Sequence, residues 1–267
     1  MTTKTIIHNT TTQANKMKLT LKLTTLFFFC ILTGFTPLNQ PEIHIFLIGD
    51  STMADKPGTP EENPERGWGQ LLHTFFNENA AIHNHAVNGR SSKSFISEGR
   101  WEKVLEELSS GDYVFIQFGH NDQKDQDPTR YTNPWSSYRR NLERFVKETR
   151  ARGAYPVLLS SIVRRKFNDQ GTLVDTHGPY PFVAQWVAYK MDVPFIDMQG
   201  MTEDYVNEIG IEKSKEIYLW VEPGEYERFP DGREDNTHLS LTGATEYARL
   251  VAEEIKRQEL ALGRFLE

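Results

Sequence analysis

A chain of 267 residues, 38% hydrophobic and 25% charged, has room for one large α/β domain or two small ones, with the make-up of an ordinary soluble globular protein. Its 37 acidic residues outnumber 30 basic ones, for a formal net charge of −7, which argues against a general nucleic-acid binder because such proteins need a basic field. Its one cysteine, Cys30, excludes an internal disulfide framework, so stability must come from the core.

The charge is unevenly spread. The first forty residues hold four lysines and no acid, which leaves 26 basic against 37 acidic residues, a net of −11, in the remainder. Lys16, Lys18 and Lys22 precede the apolar run from Leu23 to Phe35, which stops before Pro37. A basic region followed by a short apolar one reads as a secretory signal peptide, and the run is short for a membrane span. Residues 1–40 are therefore expected to be a signal and N-terminal extension, with Met17 as an alternative start, and residues 41–267 a single domain. Export to the periplasm or beyond follows, with no stable membrane insertion after signal removal. Cys30 follows Phe29 rather than a small residue, which argues against lipid attachment there.

From there, strand and helix patterns alternate to the end without a linker or repeat. A first strand, Ile43 to Ile48, runs into Gly49-Asp50-Ser51. A polar loop, Pro57 to Glu65, leads to a helix near Gly67 to Phe76. A second strand, Ala81 to Asn84, is followed by a Gly/Ser-rich turn from Asn88 to Ser94. Trp101 to Leu108 is helical, with Trp101, Val104, Leu105 and Leu108 on one face. The third strand, Tyr113 to Phe118, is apolar on both faces, as a central parallel strand is, and ends in Gly119-His120-Asn121-Asp122. A helix from Pro134 to about Arg152 stops at Gly153. The fourth strand, Pro156 to Ser160, exits into Arg164-Arg165-Lys166 and a turn at Phe167 to Gly171. A helix from Tyr180 to Met191, a strand from Val193 to Ile196 and a helix from Thr202 to Ile209 follow. The segment Trp220 to Asp235 is expected to be an irregular loop. A last helix starts at Ser240 or Thr242, either of which can cap it, and runs to about Leu260. The pattern predicts an α/β fold: a three-layer α/β/α sandwich around a central parallel five-stranded sheet.

A buried strand that delivers a serine to the carboxyl end of such a sheet places it where α/β folds bind ligands. If Ser51 is a nucleophile, the chain must also supply a base, an orienting acid and oxyanion donors. Asp235-Asn236-Thr237-His238, just before the last helix, pairs an acid with a histidine three residues on. In a turn, that spacing lets the carboxylate reach Nδ1 while Nε2 points toward a serine. Gly89 allows a ligand to approach the backbone without a Cβ in the way, and Asn121 offers a neutral donor at the end of the central strand. Each such donor typically contributes about 3–4 kcal/mol to transition-state stabilisation. A helix N-terminus near Ser51 would favour developing negative charge. Asp50 and Asp122 are read as loop-fixing residues.

Four motifs in this order, GDSTMADK from Gly49, NGRSSKSF from Asn88, GHNDQK from Gly119 and DNTHLS from Asp235, make the chain resemble the SGNH (GDSL-type) hydrolases. Within them it resembles the rhamnogalacturonan acetylesterase-like carbohydrate esterases. The Arg66-Gly67-Trp68-Gly69 turn, and Arg164-Arg165 with Thr176-His177-Gly178, add smaller matches. The resemblance spans the chain from Ile45 to the last helix. It implies a flavodoxin-like sandwich, no metal and no cofactor. It also implies a triad of Ser51 as nucleophile, His238 as base and Asp235 as its orienting acid. The Ser51 and Gly89 backbone N–H groups and the Asn121 side chain would form the oxyanion hole.

The function expected is that of an exported esterase hydrolysing O-acetyl esters on a plant cell-wall polysaccharide, pectic rhamnogalacturonan first. Xylan, small acetylated sugars, or the acyl chains of a GDSL-type lipase or thioesterase are the alternative substrates. A non-catalytic carbohydrate-binding protein on the same scaffold is the alternative from another class. The substrate is an acetylated poly- or oligosaccharide, with no nucleic acid involved; nothing in the sequence sets an oligomeric state. Arg90 and Arg164 are candidate contacts for uronate carboxylates. Arg165 reads as a surface ion pair, and the aromatics from Tyr218 to Phe229 either stack on sugar rings or pack over the sheet. His83 and His85 have metal-ligand spacing but no accompanying carboxylate or cysteine cluster.

Overall fold

The computed structural model describes residues 42–267. The expected signal peptide, the alternative start at Met17 and Cys30 lie outside the described residues.

Five parallel strands form the central sheet: β1 (Ile43–Gly49), β3 (Ala80–Asn84), β4 (Tyr113–Gln117), β5 (Tyr155–Leu159) and β6 (Phe195–Ile196). Their spatial order is β3-β1-β4-β5-β6, the flavodoxin-like doubly wound order. The two-residue side-chain period of the central strands sorts their apolar residues onto two faces. Ile45, Leu47, Phe115, Val157 and Leu159 enter one core, with Trp68, Met198 and Val206, and with Tyr247, Val251 and Ile255 of the last helix. Phe46, Ile48, Val114, Ile116 and Leu158 enter the other, against Trp101, Phe145, Val146, Val183 and Val187. Burial on both faces is why these strands read as continuous apolar runs.

The helices are α1 (Trp68–Leu71, extended by a 3-10 turn over Leu72–Phe75), α2 (Ser92–Ser97) and α3 (Arg100–Glu107). They continue with α4 (Arg139–Ala151), α5 (Tyr180–Met191), α6 (Met198–Lys213) and α7 (Leu241–Arg257). Several expectations shift. Helix α2 lies where a turn was expected: Ser91 caps it by accepting from the Ser94 backbone N–H, and the Ser94 hydroxyl returns a bond to the Ser91 N–H. Pro134–Tyr138 is a wide π-type turn that leads into α4. Helix α6 begins earlier than Thr202 because Asp197 caps it, and it breaks at Gly210, whose φ is 79°. Ser240, not Thr242, caps α7 through the Gly243 N–H at 3.0 Å.

The larger difference is a second sheet. Strands β2 (Glu65–Arg66), β8 (Arg233–Ser240) and β7 (Tyr218–Val221) pair antiparallel in the order β2-β8-β7. The segment expected to be a loop from Trp220 to Asp235 is thus a hairpin, irregular only between its strands, where Pro223, Gly224 and Gly232 fall. Strand β8 is polar throughout except Leu239, so it carries no apolar alternation to betray it. Its register with β7 slips: Tyr218 pairs with Leu239, but the next residue, Leu219, pairs with Asp235. Residues Asn236, Thr237 and His238 form the resulting bulge, a device that re-aims side chains at the edge of a site.

Candidate active site

Strand β1 lies between β3 and β4, where chain order reverses direction across the sheet, and Ser51 follows its carboxyl end. This is the switch point at which doubly wound sheets open a ligand crevice. Gly49 is required for the exit: a Cβ there would lie 2.8 Å from the Gln117 carbonyl oxygen and 2.9 Å from the Met53 sulfur. No helix begins at Ser51; residues 51–53 form a single turn in which the Met53 and Ala54 N–H groups donate to the Asp50 carbonyl at 3.2 and 3.0 Å. The helix-dipole contribution expected there is absent.

Asp50 is fully buried, and its Oδ1 accepts from the Thr52 N–H at 3.0 Å and hydroxyl at 2.9 Å. Thr52 in turn accepts from Gln117, which accepts from the Trp68 indole, each at 2.9 Å. This buried relay pins the Ser51 turn to β4 and α1. The other Asp50 oxygen lies 3.5 Å from Nδ1 of His120, whose imidazole burial pushes below its usual range and so keeps neutral.

His238 stands across from Ser51. Its Nε2 is 3.0 Å from Ser51 Oγ, and its Nδ1 is 2.8 Å from Asp235 Oδ2. The bulge makes this possible, and Asp235 holds the bulge shut: its Oδ1 accepts from the backbone N–H groups of Thr237 at 2.8 Å and His238 at 3.0 Å. Arg233 donates to Asp235 Oδ2 at 2.7 Å. Burial by itself would raise the Asp235 carboxyl, but the hydrogen bond and charge of His238, with the Arg233 and backbone donors, hold it far below the usual carboxylate range. The expected acid–histidine pair is therefore present, on a bulged strand rather than in a loop.

The three expected oxyanion donors come from three carboxyl-end segments. Gly89 sits at φ 75°, a conformation that L side chains rarely adopt. Neither its N–H nor that of Ser51 donates to another group among the described residues. Asn121 is buried, and its amide donates to the Arg90 carbonyl at 3.1 Å, which leaves its second N–H available. Asp122 fixes this corner. It accepts from the Ser92 N–H at 3.0 Å, the Ser92 hydroxyl at 2.5 Å and the Thr132 hydroxyl at 2.7 Å. Burial pushes its carboxyl up to about 6, with those hydrogen bonds opposing.

A strand-end serine in line with imidazole and carboxylate, beside two free backbone N–H groups, is the equipment of an acyl hydrolase. Residues 47–245 match the GDSL-like Lipase/Acylhydrolase family. The chain belongs to that family. It is a carboxylic ester hydrolase. Over 225 residues it is 43% identical to rhamnogalacturonan acetylesterase RhgT of Bacillus subtilis, covering 84% of this chain and 94% of the relative. It is 33% identical to the probable rhamnogalacturonan acetylesterase YesY of the same organism, over 82% of this chain and 95% of that one. Among solved structures it resembles Bacillus subtilis YxiM, with a TM-score of 0.68 at 23% identity, covering 84% of this chain and 58% of that one. It also resembles Axe2, an acetylxylan esterase from Geobacillus stearothermophilus, with a TM-score of 0.56 at 20% identity over 79% and 93% of the two chains. These last two likenesses show the fold.

Around the site, this GDSL-family chain departs from several expectations. Arg165 is not a surface ion pair. It is buried, donates to Ser214 Oγ at 2.9 Å, Asn236 Oδ1 at 3.2 Å and the Ile211 carbonyl at 2.6 Å, and its own N–H reaches the Asn236 carbonyl at 2.9 Å. It thus grips the bulge between Asp235 and His238. Arg165 and Lys215 lie over the Trp220 ring at 4.9 and 4.8 Å from its centre, so cations already occupy ring surface that a sugar would stack on. Arg164 is half-buried and donates to the Thr176 carbonyl and hydroxyl, both at 3.2 Å. Arg90 lies beside the Gly89 turn and pairs with Glu98 at 3.0 Å. His83 bonds His44 at 2.8 Å, and His85 faces Glu107 at 3.4 Å. Lys56, which ends the GDSTMADK motif but had no role assigned to it, is buried against Ser51 and Asn88.

Proposed function

We propose that this hydrolase removes O-acetyl groups from pectic rhamnogalacturonan through a Ser51–His238–Asp235 acyl-enzyme mechanism. The observation that carries the mechanism is the chain of contacts from Ser51 Oγ through His238 to Asp235, 3.0 and 2.8 Å. His238 Nε2 takes the Ser51 proton as Oγ bonds to the acetyl carbonyl carbon. The resulting oxyanion is met by the N–H groups of Ser51, Gly89 and Asn121. The C–O bond to the sugar then breaks, and His238 returns the proton to the leaving hydroxyl. A water molecule, deprotonated by the same nitrogen, attacks the acetyl-serine and releases acetate and free Ser51. Asp235 keeps His238 in the tautomer with Nε2 unprotonated and stabilises the imidazolium that forms. No step requires a cofactor.

The substrate class follows from the two relatives named as rhamnogalacturonan acetylesterases, 43% and 33% identical over nearly their whole length. Arg90 and Arg164 are the candidates for a uronate carboxylate, each with part of its guanidinium already engaged, Arg90 with Glu98 and the Asn88 carbonyl and Arg164 with Thr176. The basic and apolar pattern before residue 41 supports export, with residues 41–267 as the single catalytic domain.

The test is acetate release from acetylated rhamnogalacturonan, acetylated xylan and an aryl acetate. Rhamnogalacturonan is expected to be the best polymer. Ser51→Ala should lower release by at least about 10⁴-fold on all three. Unchanged release from that variant overturns the triad, and preference for xylan overturns the substrate.

A further inference from the structure

The two free backbone donors of the site lie on different loops, Ser51 after β1 and Gly89 after β3, and something must fix their separation. Lys56 does so by contact. Its ammonium, 2% exposed, donates to the Ser51 carbonyl at 2.7 Å, to Asn88 Oδ1 at 2.5 Å and to Glu65 Oε1 at 2.9 Å. A lysine ammonium has three N–H donors, so all are engaged and none is left for substrate. The Lys56 backbone is itself clamped: its N–H donates to Gln70 Oε1 at 3.0 Å, and its carbonyl accepts from Gln70 Nε2 at 3.3 Å. Glu65 lies in β2, which pairs through Glu65 and Ser240 with β8, the strand of Asp235 and His238. One ammonium therefore joins the nucleophile turn, the residue before Gly89 and the sheet that carries the acid and base.

We propose that Lys56 is a positioning residue for the oxyanion hole, its ammonium holding the Ser51 and Asn88–Gly89 segments at the separation the transition state needs. It touches no reacting atom and acts through backbone it anchors. Removing it leaves the ester free to bind while misplacing the donors that recognise the tetrahedral oxygen, so the loss falls on kcat rather than KM. Because an oxyanion donor is worth about 10²–10³-fold and Lys56 acts on such donors indirectly, the expected loss is about 10- to 100-fold in kcat. The proposal rests on the Ser51–His238–Asp235 reading.

The alternative is that Lys56 merely neutralises Glu65. Removing a buried cation alone strands its carboxylate, so Lys56→Met is compared with the double variant Lys56→Met/Glu65→Gln, which strands no charge. Hydrolysis of an aryl acetate, the rate of inactivation by an aryl phosphonate, and the thermal midpoint are measured on the full chain. Both variants are expected to lose kcat about 10- to 100-fold with KM within about 3-fold of wild type, and to react with the phosphonate correspondingly slowly. The double variant is expected to regain thermal midpoint without regaining kcat. Asn88→Ala, at an exposed position, should stay folded with a midpoint lowered by no more than the loss of one hydrogen bond, and should lose kcat by about 3- to 10-fold. Recovery of kcat together with the midpoint in the double variant overturns the proposal. So does wild-type kcat in Asn88→Ala, which decides the matter should both lysine variants fail to fold. Ser51→Ala, assayed alongside, separates the two readings: if it stays active, the triad assignment fails before Lys56 is judged.

Discussion

Asp235 does two jobs with two oxygens. One accepts the backbone N–H groups of Thr237 and His238, which shapes the bulge; the other faces His238 Nδ1 and Arg233. Replacing it by asparagine keeps an acceptor for the backbone but presents an amide, which favours the wrong imidazole tautomer. Asp235→Asn is therefore expected to fold with a near-native circular dichroism spectrum and to lose kcat by about 10⁴-fold. Because its folded carboxyl is held below the unfolded value, its contribution to stability is present above about pH 4 and fades as pH falls. Asp235, His238 and Ser51 were legible because each sits in a short motif whose residue types suit only a few chemistries. The roles of Lys56 and Arg165 were not, although one ends GDSTMADK and the other lies in Arg164-Arg165-Lys166, because a cation in sequence reads as solvated. Their burial depends on Glu65, Asn88, Asn236 and Ser214, which are 9, 32, 71 and 49 residues away.

Among elements, the parallel strands were readable to within a residue or two, and for β1, β4 and β5 the reason is that burial on both faces leaves apolar runs. Strand β8 was not, because pairing and side-chain clamps hold it rather than an apolar face. Arg165→Met removes the side-chain clamp on Asn236 of β8 together with the bonds to Ser214 and the Ile211 carbonyl, and should destabilise the chain by about 2–4 kcal/mol. It should also lower kcat, as the bulge relaxes and His238 drifts from Ser51; an unchanged kcat beside a lowered midpoint would show the bulge to be held by β2 and β7 alone. The corner at Asp122 makes a different prediction. Its carboxyl is raised from an ordinary value near 4 to about 6, so the fold favours its protonated form. The associated stabilisation is complete below about pH 4 and is lost as pH rises through 6, an effect of about 3 kcal/mol. In Asp122→Asn, which is neutral at every pH, the decline in thermal midpoint between pH 4 and 6 should be shallower than in wild type.

At the scale of the molecule, the proposed nucleophile and its proposed activating pair belong to different sheets. Ser51 leaves the five-stranded sheet, whose central strands β1, β4 and β5 are packed on both faces; Asp235 and His238 ride on a three-stranded ribbon whose β8 is only half-buried. Exposed hydrogen bonds and sparse apolar contact mark regions that open at lower free energy than the core. The ribbon should therefore exchange its amide hydrogens with deuterium sooner than β1 and β4. Over a urea titration, hydrolysis should fail at a lower concentration than the far-ultraviolet signal. The enzyme would then possess a catalytically silent state that is still almost wholly native, reached by the detachment of one hairpin and reversed without refolding the rest.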